Sequence, residues 1–456
     1  MKIEEILEMN IFKVWSKFVI ASIVGVVLNI VYSAVDAIFV GQGVGEAGLA
    51  SVNIAWPSVT VVIGIGLMIG IGASNKISIY LGQGDTEQAE KYLATSVKFM
   101  LALGIPIMII ALVFREKIIL WLGATPDTID YVRDYYTTMY IIIVPYIFST
   151  ALNPIVRADG SPNLSMMMIG IGAVANIILD WIFVIEMGLE VKGAAMATSA
   201  SIFISMIVSL HYFIKGKSRI KLRKKYFKLD LDIIKNICKI GFVSFAIQLS
   251  YGIILFVQNN VIYMYGDTVD VAIYTVAAYI LSFIVNTFMG MSQGLQPIIG
   301  YHIGANKKER ISQLMKITFA VCTITGIIFY ILLFMFGREI VSVFGVEAEN
   351  IQYGYEMILL YCIAIPIIGI IFTMSGYYQV SGKNIYANTI SISRGFIFQF
   401  IFTIILPQYI GIAGVFLSLP IAEFITLVIV GLIAFREHRV QKNKIKDQEN
   451  KLQEVI

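Results

Sequence analysis

The chain has 456 residues, 58% of them apolar and 14% charged, with a mean hydropathy of +0.81. A soluble domain is nearer half apolar and a quarter charged, so a single water-soluble core cannot absorb this composition and a membrane protein can. The formal charge of +4 is too small to indicate nucleic acid, and three widely spaced cysteines, Cys238, Cys322 and Cys362, form neither a disulfide framework nor a metal knuckle.

A bilayer crossing needs about 20 mostly apolar residues, because lipid offers no water to the backbone amides. Twelve such runs are predicted: 15–40, 50–75, 93–113, 131–156, 163–186, 193–214, 237–264, 271–300, 312–335, 352–378, 385–406 and 411–435. No connection between them is long enough for a soluble catalytic domain. The amphipathic N-terminus lacks a small-residue cleavage site and is expected as an uncleaved first helix. Lys and Arg gather on one side: Lys91, Arg157, the stretch from Lys215 to Lys239, Lys307, Lys308, Arg310, Lys383 and the tail from Arg436 to Lys451. The other side holds only Arg115, Lys117, Arg133, Lys192 and Arg338. Basic residues mark cytoplasmic connections, which implies a multi-pass protein of the cell (inner) membrane with both termini cytoplasmic. The basic stretch is expected to be a solvated linker facing an anionic leaflet.

Sliding the chain on itself by about 222 residues brings Gly72 onto Gly294, Gly82 onto Gly304, Tyr131 onto Tyr353 and Gly160 onto Gly382, with Pro145 and Pro366 one residue out of step. Each half holds an even number of crossings, so the halves run in the same sense. The expected fold is all-α and integral to the membrane. Its twelve helices form two six-helix lobes related by a pseudo-two-fold axis along the membrane normal. Expected boundaries are 1–214 for the first lobe, 215–236 for the linker, 237–435 for the second lobe and 436–456 for a cytoplasmic tail. Two lobes around a midplane cavity suit alternating access.

An ionisable group inside a span is costly and therefore a functional candidate. The interior acids are Asp36, Asp180 and Glu423, and the interior base is Arg394. Asn29, Ser33 and Asp36 share one face of the first span, and Asn176 and Asp180 share one face of the fifth. At 1.5 Å per residue, Asp36, Asp180 and Thr198 reach the same depth, with Asn176 a turn deeper. Such a group can bind a proton or a small cation, since two adjacent carboxylates in low dielectric cannot both stay ionised. The competing reading is that each acid merely hydrogen-bonds a neighbouring helix. Arg394 and Glu423 lie at matching depth on adjacent spans and are expected to form a structural ion pair. Asn153, Gln258 and Asn259 are expected on a cavity wall, as is Tyr135 from the Tyr135-Tyr136 pair, where soft and aromatic side chains suit a permissive pocket. Lys76 and His302, near span ends, are expected to be solvated.

The hairpin Arg157-Ala158-Asp159-Gly160-Ser161-Pro162, followed by Asn176-Ile177-Ile178-Leu179-Asp180 and Gly193-Ala194-Ala195, resembles the signature of the multidrug and toxic compound extrusion (MATE) transporters. Asp36-Ala37-Ile38-Phe39-Val40-Gly41 and Gly72…Tyr80-Leu81-Gly82 are similar too, and the resemblance covers nearly the whole chain. The branch it most resembles is the one related to DNA-damage-inducible protein F, with the staphylococcal-type multidrug exporters. That resemblance implies cation coupling at Asp36, Asn176, Asp180 and Thr198, with Asn29 and Asn153 lining the cavity. It also implies a monomeric antiporter without a cofactor, exporting small amphipathic, mostly cationic compounds. The coupling ion is expected to be H⁺, with Na⁺ at the same four residues as the alternative. The sodium-driven branch uses acids on the seventh and tenth helices, which this chain lacks apart from the shallow Glu356. Two other readings compete with this one. A lipid-linked saccharide flippase needs a cavity rich in Arg and Lys, where only Arg394 is available. An intramembrane transferase needs an embedded His or a metal motif, and neither is present.

Overall fold

The computed structural model describes residues 3–226 and 229–455, with the side chains of Lys224, Leu255, Phe256, Asn259 and 441–455 outside the description. Among the described residues every regular element is helical. Twelve crossings result when the bent pair Ile129–Ile141 and Ile143–Ala158 counts as one span. The twelve helices fall into two six-helix lobes, as the repeat implies.

Apolar runs make the helix interiors, and polar residues close their ends. The first span, Ile11–Gly43, is capped by the Asn10 side chain, which accepts from the amides of Phe12 and Lys13. The second span, Glu46–Gln83, stops at Gly84, whose φ of 80° is left-handed. The seventh, Leu231–Tyr265, is capped by Asp230, and the eighth, Thr268–Gly304, by a reciprocal Asp267–Asp270 box. Both of these long spans outrun the expected boundaries, because polar caps rather than loss of hydropathy end them.

Two of the expected runs are not single helices. The fourth breaks at Ile142 with a 59° bend, and the tenth is divided into Ile351–Cys362 and Ile365–Val380. Pro145 and Pro366, the repeat-related pair, sit in the first turn after each break. Each lacks an amide and cannot continue the preceding turn. The break is thus itself duplicated.

The lobes meet along a seam that is tight where the linker attaches and loosens away from it. A Cβ built on Gly82 would lie 2.2 Å from the Tyr301 carbonyl, and one on Gly304 would lie 2.1 Å from the Ile79 carbonyl. These two contacts exchange under the 222-residue repeat, so the pseudo-two-fold axis runs between the linker ends of the second and eighth spans. Tyr301 also donates its hydroxyl across the seam to the Ala158 carbonyl at 2.7 Å. Between the second and seventh spans the same measure grows with distance from the linker end. It is 2.2 Å at Gly72 against Ile237 O and 1.9 Å at Gly241 against Met68 O in the half near the linker, then 3.0 Å at Gly64 against the Phe245 ring and 3.8 Å at Gly252 against the Thr60 hydroxyl beyond it. The bundle is therefore a V, closed at the linker end and open at the far end.

The linker's basic side chains are largely exposed, as its charge implies, but its backbone is clasped to the first lobe and not free in solvent. Ile220 is fully buried, and two buried acids of the first lobe hold the segment down. Asp159 accepts from the backbone amides of Arg219 (3.0 Å) and Ile220 (3.2 Å) and from the Tyr212 hydroxyl (2.6 Å). Glu90 accepts from the Lys221 amide at 3.1 Å and pairs with Arg223 at 2.9 Å. Hydropathy misses this clasp because a buried carboxylate demands donors, and the linker's amides are the donors at hand. His302 departs from its solvated assignment as well: it is fully buried, with Nδ1 2.8 Å from the Ile298 carbonyl and Nε2 accepting from Arg310 at 3.0 Å.

Two outcomes follow from the seam and the clasp. Gly241→Ala should disfavour the linker-closed arrangement by about 1–3 kcal/mol. Spin labels at the exposed positions Glu87 and Glu309 would report this as a new population of longer distances, and an unchanged distribution would show the seam to be slack. Burial pushes the Asp159 carboxyl up to about 6, against the opposing donors just named. Since that lies above the 3.8 of a free aspartate, its contribution to stability is complete below about pH 4 and lost as the pH rises through 6. Between pH 4 and 7 the wild-type melting temperature should therefore fall more steeply than that of Asp159→Asn. The difference should reach at most about 3 kcal/mol, and parallel curves would refute it.

Candidate functional site

Asp36 lies in the upper half of the first span, where the seam has opened, and Asp180 ends the α-helical part of the fifth span, Pro162–Asp180. The fifth span continues from there as a π-helical turn, Trp181–Glu186. Extra-wide turns of this kind re-aim side chains and often mark functional positions. The carboxyl groups of Asp36 and Asp180 lie within hydrogen-bonding reach of each other. Asn176 donates its amide to the Thr198 hydroxyl at 3.3 Å. Asp180 and Asn176 are fully buried, whereas Asp36 is half-buried and gives the group an opening.

The acceptors here outnumber the donors. Both oxygens of Asp180, one of Asp36 and the Asn176 carbonyl oxygen are buried without a hydrogen-bond partner among the described residues. Native proteins rarely leave buried acceptors unsatisfied, and a cluster of them calls for a proton or a cation. A proton shared between the carboxyls, or an ion ligated by the four oxygens, would answer it. Tyr135 is buried beside this group, close enough to feel both carboxylates. Tyr32 occupies a similar position, one helical turn before Asp36, and Tyr146 flanks both tyrosines. Sequence reading passed over Tyr32 and Tyr146, although the i, i+4 relation of Tyr32 to Asp36 was there to be used.

Asn29 and Ser33 stay exposed on the face of the first span that carries Asp36, the Ser33 hydroxyl donating back to the Asn29 carbonyl at 2.9 Å. Of two others expected on the cavity wall, Asn153 is half-buried and held by its neighbours, and Gln258 lies inside the second lobe. Asn153 donates to the Ser165 carbonyl at 2.8 Å and accepts from Ser165 (2.8 Å) and Arg157 (3.1 Å). It bolts the fourth span to the fifth. Gln258 is buried inside the second lobe, where it accepts from the Tyr274 hydroxyl beside Tyr361. A buried amide in an apolar bundle is held by whatever polar group the packing supplies, and here those were tyrosines. The Asn259 side chain lies outside the described residues.

In the second lobe, Arg394 Nε donates to Glu423 Oε1 at 2.5 Å, with the guanidinium over the Phe372 ring at 4.1 Å. Arg394 stands in a second π-helical turn, Ser393–Phe398. No group of three or more His, Cys, Asp or Glu suited to a metal occurs among the described residues.

A duplicated membrane bundle with an interior ionisable group in one of its lobes is carrier architecture. The chain belongs to the MATE family: the MatE family model matches residues 21–182 and 242–405. The family is one of transporters and not of enzymes. The multidrug export protein MepA of Staphylococcus aureus (strain MSSA476) is 26% identical over 434 residues, 93% of this chain and 94% of that protein. MepA of Staphylococcus saprophyticus is 25% identical over 431 residues, with the same coverage. A MATE protein crystallised in complex with MaD3S superposes with a TM-score of 0.91 over 97% of this chain and 99% of its own, at 22% identity. The outward-facing conformation of a multidrug resistance MATE family transporter of the MOP superfamily superposes at 0.90, over 96% and 98%, also at 22% identity. At that identity the superpositions speak for the fold alone.

Glu423 is entirely buried, so removing its partner strands a charge in the bundle. Arg394→Ala should lower stability by about 3–5 kcal/mol, and thermal unfolding in detergent measures it. A variant that melts with the wild type would show that the pair contributes nothing to the fold.

Proposed function

We propose that the protein is a cation-coupled antiporter of the cell membrane, exporting small amphipathic, mostly cationic organic compounds by alternating access of its two lobes. Lobe boundaries at 1–214 and 237–435, with both termini and the 215–236 linker cytoplasmic, complete the reading. The orphaned acceptors at Asp36, Asn176 and Asp180 are the observation that carries it. The names of the MepA relatives add support on the side of the cargo.

In this orientation the V opens outward. The acid pair, sharing one proton and keeping one negative charge, attracts an organic cation but lacks internal donors of its own. A second proton, arriving from outside through the half-buried Asp36, neutralises the remaining carboxylate and so lowers the electrostatic hold on the cargo. The cargo leaves, the far end closes, the glycine seam at the linker end parts, and the proton is given up to the cytoplasm. Tyr135 and Tyr32 wall the pair off and offer aromatic faces to a cation. One proton in for one monovalent cation out moves no net charge, so the pH gradient drives the exchange; a further proton per cycle would add about 2.3 kcal/mol per 100 mV of membrane potential. Sodium is the alternative ion, with Asp36, Asp180, Asn176 and Thr198 as its oxygen ligands. The chain acts as a monomer in this scheme.

Efflux from proteoliposomes under an imposed pH gradient tests the scheme. Asp36→Asn and Asp180→Asn should each abolish gradient-driven transport while the protein still folds and binds cargo. Wild-type coupling in both variants would reject the assignment, and dependence on a sodium gradient instead of a pH gradient would transfer it to Na⁺.

A further inference from the structure

A polar recess that the coupling scheme does not use lies where the second lobe faces Leu67 and Ile71 of the second span. It opens at the foot of the V. Gln248 from the seventh span, Gln293 and Gln296 from the eighth, and Gln379 and Ser375 from the tenth line it. A contiguous pocket shares Phe372 and Ser375 with it and runs inward to Ser391, Arg394 and Gly395. Several of these groups are already fixed. Gln379 donates to the Ile240 carbonyl at 2.8 Å and to Ser244 at 3.1 Å, and Ser375 and Ser391 share a hydrogen bond of 2.7 Å. The recess is therefore preformed and neutral, except at its inner end.

The inner end is Arg394, and its pairing with Glu423 is one-armed. A guanidinium held for structure normally grips a carboxylate with two parallel bonds. Here Nε alone reaches Glu423 Oε1, while Oε2 is buried without a hydrogen-bond partner. The two terminal nitrogens of Arg394 make no hydrogen bond to protein among the described residues, and the residue lines the pocket. Phe372 beneath the guanidinium fixes its plane, and the π-helical turn carrying Arg394 turns it towards the recess. Glu423 thus holds the charge in place in the middle of the membrane without using up its donors.

We propose that this recess is an anion subsite: Arg394 binds a carboxylate borne by the transported compound, and the glutamines hydrogen-bond the polar atoms around it. The preferred cargo is then a zwitterionic aromatic amphiphile, its carboxylate in the second lobe and its cationic end left in the open cleft. The inference rests on the export reading for its biological setting, but binding alone can decide it. Loss of the carboxylate's partner should cost about tenfold in affinity, the effect of about 1.4 kcal/mol.

Rhodamine 110, which carries a free carboxylate, and rhodamine 123, its methyl ester, form a matched pair of fluorescent probes. The readout is the ratio of their affinities for the full-length protein in nanodiscs, by fluorescence polarisation. Wild type should favour rhodamine 110 by about tenfold. Arg394→Gln combined with Glu423→Gln, which strands no charge, should bring the ratio to about one, and Glu423→Gln alone should keep or raise the preference. Melting curves establish that each variant is folded. A wild-type ratio near one overturns the subsite, as does a preference surviving in the double variant or lost in Glu423→Gln. Gradient-driven transport of rhodamine 123 by the wild type is measured separately. Its absence would count against the export reading and leave the affinity ratio to judge the recess.

Discussion

Two backbones pressed together without side chains between them determine the shape of this molecule. At the linker ends of the second and eighth spans, Gly82 rests on the Tyr301 carbonyl and Gly304 on the Ile79 carbonyl, and any Cβ would force them apart. The contact is reciprocal, so it fixes the pseudo-two-fold axis. Because it closes one end only, the lobes diverge towards the other, which leaves Asp36 half-buried beside the fully buried Asp180 and Asn176. In lipid, where apolar side chains gain little by leaving one apolar environment for another, such close backbone approach is a principal means of holding helices together. The site depends on the seam.

The lobes share an architecture and have diverged in charge. The first presents a pair of acids with no internal counter-ion. The second presents glutamines and one arginine whose charge is balanced by a buried glutamate. Position 258, which the repeat places opposite Asp36, is a glutamine locked to Tyr274. Duplication therefore supplied the frame twice, and the ionisable chemistry was set separately in each copy. Two π-helical turns, one after Asp180 and one around Arg394, accompany the charged positions on the fifth and eleventh spans.

Most of this fold was legible in the sequence, because lipid enforces long apolar runs and the repeat leaves matching glycines and prolines. The convergence of Asp36, Asn176, Asp180 and Thr198 was legible from helical rise alone. What escaped reading depended on knowing neighbours. Asn153 and Gln258 looked like cavity amides, since a polar residue on an apolar helix announces that it needs a partner and not which side the partner is on. The clasp by Asp159 and Glu90 was hidden because both acids sit next to loops, where charge normally means water. Arg394 and Glu423 could be paired by depth, but the one-armed geometry depends on a local widening of the helix that no periodicity records.

The first span belongs to both lobes at once. Its lower part is fastened to the second lobe: Trp15 donates to Thr318 at 2.8 Å, Gly294 closes on the Phe18 carbonyl, and Arg310 and Lys307 hold the backbone at Met9 and Leu7. From Gly25 onward it lies against the fifth span, with Ile169 and Val184 packed at Gly25 and Gly43. No proline interrupts Ile11–Gly43 to serve as a hinge. A rocking of one lobe against the other must therefore either flex this rod near its middle, just below Asp36, or tear its foot loose. The helix that carries the acid is in this sense a torsion bar, loaded by the same movement that the acid's charge is meant to govern.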